Sequence, residues 1–210
     1  MKIEVHTYGL GGPPRVRANC PHCGQKAVLE KLEKEDISVN NEFFCGQRKC
    51  PDPDCNGHIF TVVKNNELIA SYPPIRIDFD SKDIPDNILK TFEEAIDCHA
   101  NRFYVASAIM IRRTLEEICE EKKATDGNLK SRLKDLAKKI VLPRELIDAM
   151  DELRLLGNDA AHIKSQDFKN ISKNEVEIAI DLTKEILKGL YQLESLVDRL
   201  RDLKDKDTSA

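Results

Sequence analysis

The chain has 210 residues, a formal net charge of −4 and 40% hydrophobic residues. This length accommodates one ordinary domain together with a smaller one, and the apolar content is sufficient for a packed core. The acidic balance argues against a strongly electrostatic nucleic-acid binder, because neutralising phosphates requires clustered Lys and Arg. No run of eighteen apolar residues and no signal peptide is evident, so we expect a cytoplasmic protein that does not contact a membrane.

Two pairs of cysteines, each beside proline or glycine, lie in the N-terminal third. Two residues separate Cys20 from Cys23, and four residues separate Cys50 from Cys55. Such pairs close tight turns that direct their thiolates toward a common centre. We predict one zinc ion per chain, held by these four cysteines in a structural site with no open coordination position.

Two other residues fit the spacing of a metal ligand. Cys45 precedes Cys50 by the same gap that separates Cys50 from Cys55, and His58 follows Cys55 after two residues. Either residue could therefore replace one of the four cysteines. A disulfide framework is disfavoured, because the cysteine total of seven is odd and no signal peptide is evident.

The pattern around the cysteines is typical of a zinc ribbon, which we assign to residues 1–68. Ala27–Leu29 and the β-branched run at 59–63 are predicted strands. Prolines at 73, 74 and 85 bracket a predicted linker at 69–85. Residues 1–80 carry ten Lys and Arg against eleven Asp and Glu, which disfavours sequence-specific DNA binding by the ribbon.

After Pro85 the hydrophobic periodicity becomes helical, which predicts a bundle over 86–203 and a disordered tail at 204–210. Asp86 is a predicted cap of the first helix, and the apolar run from Phe103 to Ile111 predicts a central buried helix. A capping box, Ser172-x-x-Glu175, begins a last helix of about 30 residues or about 45 Å. Its apolar face is longer than a compact bundle needs, so it either packs on a partner or extends into solvent.

Arg154, Asn158 and His162 are each four residues apart, so one helix would place all three on one side. A cation, an amide and an imidazole together could bind a phosphodiester and move a proton near neutral pH. The alternative is structural: Asn158 and His162 are buried and hydrogen-bond to a neighbouring helix, through Arg113 or Glu116.

Several motifs resemble the bacterial family called domain of unknown function 4145. They are the run from Leu153 to His162 (LRLLGNDAAH), the segments 113–119 and 128–133, and the Cys-Pro-x-Cys-Gly knuckle at residue 20. The resemblance implies a mainly α fold: a HEPN-like helical bundle, often dimeric, with a small N-terminal β zinc ribbon. HEPN-like proteins occur in toxin–antitoxin, restriction and phage-defence systems. Active members are metal-independent ribonucleases that use an arginine, a polar residue and a histidine.

In this chain Asn158 and His162 match the polar residue and the histidine of that pattern, but Gly157 stands at the arginine position. Seven residues separate the nearest arginine, Arg154, from His162. Without a placed guanidinium, the charge developing on a phosphate loses its main stabiliser. We therefore predict a homodimeric, non-catalytic module for a protein or RNA ligand in a defence, restriction or stress system. The alternative is a ribonuclease that combines Arg154 and His162 across a dimer.

Overall fold

The computed structural model describes residues 4–12, 14–32, 34–162 and 171–207, with side chains described as far as residue 202. The chain divides into two compact units, Met1–Asp78 and Phe79–Ala210. The first unit is built from antiparallel strands and the second from helices. The described helices are all too short or too polar to cross a bilayer.

The first unit contains an antiparallel sheet in the order β1-β5-β6-β7-β8, with the short β4 pairing on β6 beside β5. A separate hairpin is formed by β2 and β3. The strands are β1 (Tyr8–Gly11), β2 (Arg17–Asn19), β3 (Lys26–Val28), β4 (Glu30–Lys31), β5 (Asp36–Val39), β6 (Phe43–Lys49), β7 (His58–Lys64) and β8 (Glu67–Tyr72). The predicted strands at 27–29 and 59–63 correspond to β3 and β7, and β8 includes the first four residues of the segment predicted as linker.

One face of this sheet forms the core of the first unit. Along β7, Ile59, Thr61 and Val63 are buried, whereas His58 at the start of the strand and Phe60 between Ile59 and Thr61 are exposed. This alternation follows from the two-residue period of a strand. The buried cluster also contains two of the cysteines, and its members are Val16, Cys20, Leu29, Cys50, Ile59 and Val63.

A buried ion pair joins β5 and β6 on the same face. Asp36 and Arg48 have side chains that are each 1% exposed. The Arg48 guanidinium donates to both carboxylate oxygens of Asp36, with Nη1 2.9 Å from Oδ1. It also donates to the carbonyl oxygen of Gln47 at 2.9 Å. The carboxylate thus compensates a cation that would otherwise be buried at a high desolvation cost.

The second unit is a helical bundle, and its helices begin close to where the sequence predicts them. Asn128 caps α3 by accepting from the Ser131 N–H at 3.1 Å, and the predicted capping box begins α5. The helices are α1 (Asp86–Ala100), α2 (Tyr104–Glu121), α3 (Leu129–Lys139), α4 (Arg144–Ala161), α5 (Lys173–Leu187) and α6 (Leu193–Asp207).

Helix α2 is the central helix of the bundle, since it packs on α1, α3, α4 and α5. Its residues Ala108, Ile111, Leu115 and Ile118 are completely buried. The predicted burial of the run from Phe103 to Ile111 is incomplete at its start, where Val105 is 50% and Ile109 is 36% exposed.

Two helix boundaries differ from the prediction. Asp86 is the first residue of α1 rather than its cap, because Pro85 takes the cap position and Asp86 supplies a carboxylate to the first turn. The predicted single last helix contains a π-helical turn, Lys188–Gln192, between α5 and α6. Within that turn the Gln192 amide donates to the carbonyl oxygens of Asp80 and Lys82 at 2.7 and 3.1 Å. Helix α6 continues to Asp207, and the rest of the predicted tail lies outside the described residues.

Replacing Asp36 with alanine should strongly destabilise the first unit. The substitution leaves the Arg48 charge buried without its carboxylate, a change that costs about 3–5 kcal/mol for buried pairs. Hydrogen exchange measured by mass spectrometry should show faster exchange throughout β5, β6 and β7. The control is Glu42→Ala, which removes the exposed Lys64–Glu42 pair and should change stability by less than about 1 kcal/mol. Equal exchange in the two variants would contradict a stabilising role for Asp36.

Candidate metal centre and the α2–α4 contact

Two turns bring the four predicted cysteine ligands together. Cys20 and Cys23 lie in the connection between β2 and β3, and Cys50 and Cys55 lie in the connection between β6 and β7. The first turn is closed by a 2.9 Å hydrogen bond from the Gly24 N–H to the Cys20 carbonyl oxygen. Gly24 has a φ of 77°, which is unfavourable for residues with a side chain.

The geometry of the four sulfur atoms fits a tetrahedral metal. All four Sγ atoms lie within 4.8 Å of one another. Cys20 Sγ is 3.7 Å from Cys55 Sγ, and Cys23 Sγ is 3.8 Å from Cys50 Sγ. A tetrahedron with metal–sulfur bonds of about 2.3 Å has edges of about 3.8 Å. The four cysteines are therefore compatible with a metal site.

The environment of the thiols differs from one cysteine to the next. Burial raises the pKa of Cys20, but the N–H groups of Cys23 and His22 and the neighbouring thiols lower it more, to about 7. Burial raises the pKa of Cys50 to about 12. The backbone N–H groups of the first turn thus favour a thiolate at Cys20, which is the form that binds metals.

The alternative ligands Cys45 and His58 are not part of this cluster. Cys45 lies within β6, opposite Val62 of β7. The backbone carbonyl oxygen of His58 accepts a hydrogen bond from Nε2 of His22 at 2.9 Å. An added Cβ at Gly57 would lie 2.3 Å from the His22 ring, so glycine is needed beside that ring.

In the helical unit, Arg154 and Asn158 of the predicted polar site lie on one unbroken helix, and His162 follows its last residue. Helix α4 passes through Gly157 and ends at Ala161. Arg154 is only 8% exposed, and its Nε donates to Oδ1 of Asp151 at 2.6 Å. This hydrogen bond holds the pKa of Asp151 below its usual value. The Arg154 guanidinium is therefore engaged by a carboxylate of its own helix.

Asn158 binds an arginine that the sequence did not indicate. The guanidinium of Arg112, on α2, donates from Nη1 to Asn158 Oδ1 at 2.6 Å and lies 3.4 Å from the Arg154 carbonyl oxygen. Its Nη2 is 3.1 Å from Glu116 Oε1. The proposed partner Arg113 instead contacts Glu117. The sequence contains two adjacent arginines, Arg112 and Arg113, either of which could contact α4. Choosing between them requires the orientation of α2.

Gly157 explains how Arg112 reaches this position. An added Cβ at residue 157 would lie 2.4 Å from the Cβ of Arg112. The missing side chain therefore lets the base of the Arg112 side chain cross α4 in direct contact. Beside Gly157, where the resemblance places an arginine, the space is therefore filled by the aliphatic part of the Arg112 side chain.

His162 lies at the C-terminal end of α4 and is exposed. Its backbone N–H donates to the Asn158 carbonyl oxygen at 3.0 Å. The structural alternative of a buried His162 is therefore wrong for the single chain, while Asn158 is half-buried as a hydrogen-bonding residue. The predicted three-residue site is thus divided: the Arg154 guanidinium is buried beside Asp151, whereas the His162 imidazole is exposed.

Gly157→Ala should destabilise the helical unit. Alanine favours the helix by about 1 kcal/mol, but its methyl group overlaps the Arg112 Cβ, and overpacking typically costs about 1–3 kcal/mol. Because Cβ of Arg112 is fixed to the backbone, α2 and α4 must separate. Thermal unfolding followed by far-ultraviolet circular dichroism tests this.

The control is Gly9→Ala, since an added Cβ at Gly9 meets nothing within 4 Å. The helical unit of the Gly9→Ala protein should unfold at the same temperature as that of the wild type. A Gly157→Ala protein as stable as wild type would show that the two helices can adjust without loss.

Comparison with known proteins identifies the helical part of the chain. The sequence model of a domain of unknown function, DUF4145, matches residues 93–205, which is more than half of the chain. Searches of curated proteins and of solved structures gave no significant match. The matched segment includes the Arg112–Asn158 contact and the glycine between α2 and α4. The chain therefore belongs to the DUF4145 family.

Proposed function

We propose that this protein is a non-catalytic interaction module that joins a structural zinc ribbon to a HEPN-like helical bundle. It recognises a protein or RNA ligand in a bacterial defence, restriction or stress system. The observation that carries this proposal is the engagement of both arginines near Asn158. Arg154 binds Asp151, and Arg112 binds Asn158 and Glu116.

The metal in this proposal is zinc. Four thiolates favour a soft or borderline metal, and tetrahedral sulfur coordination is typical of structural zinc. Because all four positions are taken by protein ligands, the metal stabilises the fold and contacts no substrate. Cys20 and Cys50 belong to the hydrophobic core of the first unit, so metal binding and core formation stabilise the same small fold.

The helical unit supports a binding role better than a catalytic one. A catalytic arginine must stabilise charge that develops on a substrate. Here a carboxylate neutralises each of the two guanidinium groups, Arg112 through Glu116 and Arg154 through Asp151. Among the described residues, both guanidinium groups near His162 thus have carboxylate partners, and the Arg112–Asn158 contact joins α2 to α4.

We also propose that the chain is a homodimer that associates mainly through its C-terminal helices, with Asn158 and His162 near the contact. Helix α6 carries exposed apolar residues at three- and four-residue spacing, as expected of a helix that packs on another. They are Leu193, Leu196, Val197 and Leu200, each 47–70% exposed.

The second candidate function is a metal-independent ribonuclease. One observation favours it: Arg112 places a guanidinium 2.6 Å from Asn158, one helical turn before His162. A substrate phosphate could displace Asn158 or Glu116 from this guanidinium. Alternatively, a dimer could place Arg154 of one chain beside His162 of the other.

Protein purified without added metal should contain close to one equivalent of zinc. Structural zinc binds with about 10 kcal/mol or more, so it should survive purification, and elemental analysis measures it. Cys20→Ser should lower the zinc content and unfold the ribbon while the helical unit stays folded. Cys45→Ser is the matched control and should keep the full equivalent. A metal content below about one tenth in the wild type would reject the zinc site.

The catalytic alternative is tested by incubating the protein with a mixed RNA pool in EDTA, and again with zinc-loaded protein without EDTA. We expect no cleavage above that of a His162→Ala protein. Arg112→Ala is measured in the same assay. If the wild type cleaves RNA and both His162→Ala and Arg112→Ala abolish the cleavage, the two residues belong to one catalytic site. Arg144→Ala, at an exposed position near the start of α4, is the control for loss of a charge. Cleavage by wild type that disappears only in the His162 and Arg112 variants would overturn the non-catalytic proposal.

A further inference from the structure

The outer face of the β-sheet in the first unit is apolar, although it is exposed. Strand pairing places Leu10, Ile37, Cys45, Val62 and Ala70 in one row across the five strands. Tyr8 lies beside this row on β1, and Phe60 and Tyr72 lie on its other side on β7 and β8. We call this surface the outer sheet face.

The exposure of these side chains is unusual for an antiparallel sheet. Such a sheet ordinarily carries polar residues on the side that faces water. Here Tyr8 is 83%, Leu10 70%, Ile37 52%, Phe60 44% and Tyr72 77% exposed. Large contiguous apolar surfaces mark sites of association, and aromatic residues are enriched in the centre of such interfaces.

The charges around the face indicate what can cover it. The central row contains no charged residue, and at its borders lie Lys49 and Lys64 together with Glu30 and Glu67. Lys64 is already paired with Glu42 at 2.8 Å. A nucleic acid needs several unpaired cations for its phosphates, whereas this border offers Lys49 beside two glutamates, Glu30 and Glu67.

The size and symmetry of the face suit a second copy of the chain. An aromatic side chain has about 150–250 Å² of surface. At the exposed fractions given above, Tyr8, Phe60 and Tyr72 together present roughly 300–500 Å² to solvent. With Leu10, Ile37 and the half-buried residues, the face approaches the about 800 Å² per partner of a standard interface. The centre of the face is apolar and its border carries both lysines and glutamates. Two copies of the face can therefore pack together without net repulsion between like charges.

We infer that two copies of the chain pair through their outer sheet faces, in the manner of a β-sandwich with its sheets about 10 Å apart. This contact is independent of the proposed contact through α6, because it uses residues of the other unit only. Cys45, in the middle of the central row and half-buried in the single chain, becomes shielded when the faces pair. Its thiol therefore reports on the pairing.

The test is the rate at which a maleimide modifies Cys45 in the full-length, zinc-loaded protein, from nanomolar to high micromolar concentration. Peptide mass spectrometry assigns the label, and Cys45→Ser confirms the assignment. We expect modification to slow by about tenfold when most chains are paired.

Ile37→Lys places a charge in the centre of the face and should remove the protection of Cys45 at every concentration. Because Ile37 is 52% exposed, the substitution should leave the fold intact, which circular dichroism verifies. Leu10→Lys provides a second variant, and Val141→Lys, at a 98% exposed position of the helical unit, is the control. A Cys45 rate that does not depend on concentration would overturn the inference. So would protection that persists in both lysine variants, or that appears only when RNA or another protein is added.

Discussion

Helices α2 and α4 approach each other closely because position 157 has no side chain. At that point the Cβ of Arg112 occupies the space that a larger residue would fill. The approach places the Arg112 guanidinium on Asn158 and on the Arg154 carbonyl oxygen. Since α2 also packs on α1, α3 and α5, the position of α4 against α2 decides how much of the bundle core is buried. One glycine thus determines both the packing and the chemistry of the polar stripe.

The first unit depends on a comparable constraint. It has a small core, and two of the core residues, Cys20 and Cys50, are also members of the four-cysteine cluster. Small domains seldom bury enough apolar surface to be stable alone, and a structural metal or a cross-link is the usual addition. The buried Asp36–Arg48 pair adds specificity to the strand register, because only the observed pairing of β5 with β6 compensates both charges. The ion pair and the apolar cluster, which includes Cys20 and Cys50, lie on the inner side of the same sheet.

The sequence predicted the features that depend on local chemistry. Cysteine spacing identified all four members of the cluster, since two tight turns are sufficient to bring the thiols together. Pro85, Asn128 and the Ser172 capping box marked where helices begin, because capping involves residues within one turn. The choice among Cys45, Cys50 and His58 could not be made from spacing alone, since it depends on where β6 ends.

Features that depend on distant residues were not predictable. Arg112 and Asn158 are separated by 46 residues, and their contact depends on the rotation of α2 about its axis. The prediction named Arg113 instead of Arg112, because neighbouring residues on a helix point about 100° apart and the sequence does not show which of them faces α4. The apolar outer sheet face also required the strand order, because its residues come from five strands. The sequence left open whether His162 is buried; it follows the last residue of α4 and is exposed in the single chain.

A double-mutant cycle at Arg112 and Asn158 tests the central claim most directly, namely that this arginine is used for packing rather than for catalysis. The unfolding free energy is measured for wild type, Arg112→Ala, Asn158→Ala and the double variant. Contacting residues in one hydrogen-bond network typically show coupling of about 0.5–3 kcal/mol, and we predict a stabilising coupling in this range. Additive effects on stability, together with RNA cleavage that either substitution abolishes, would contradict the account.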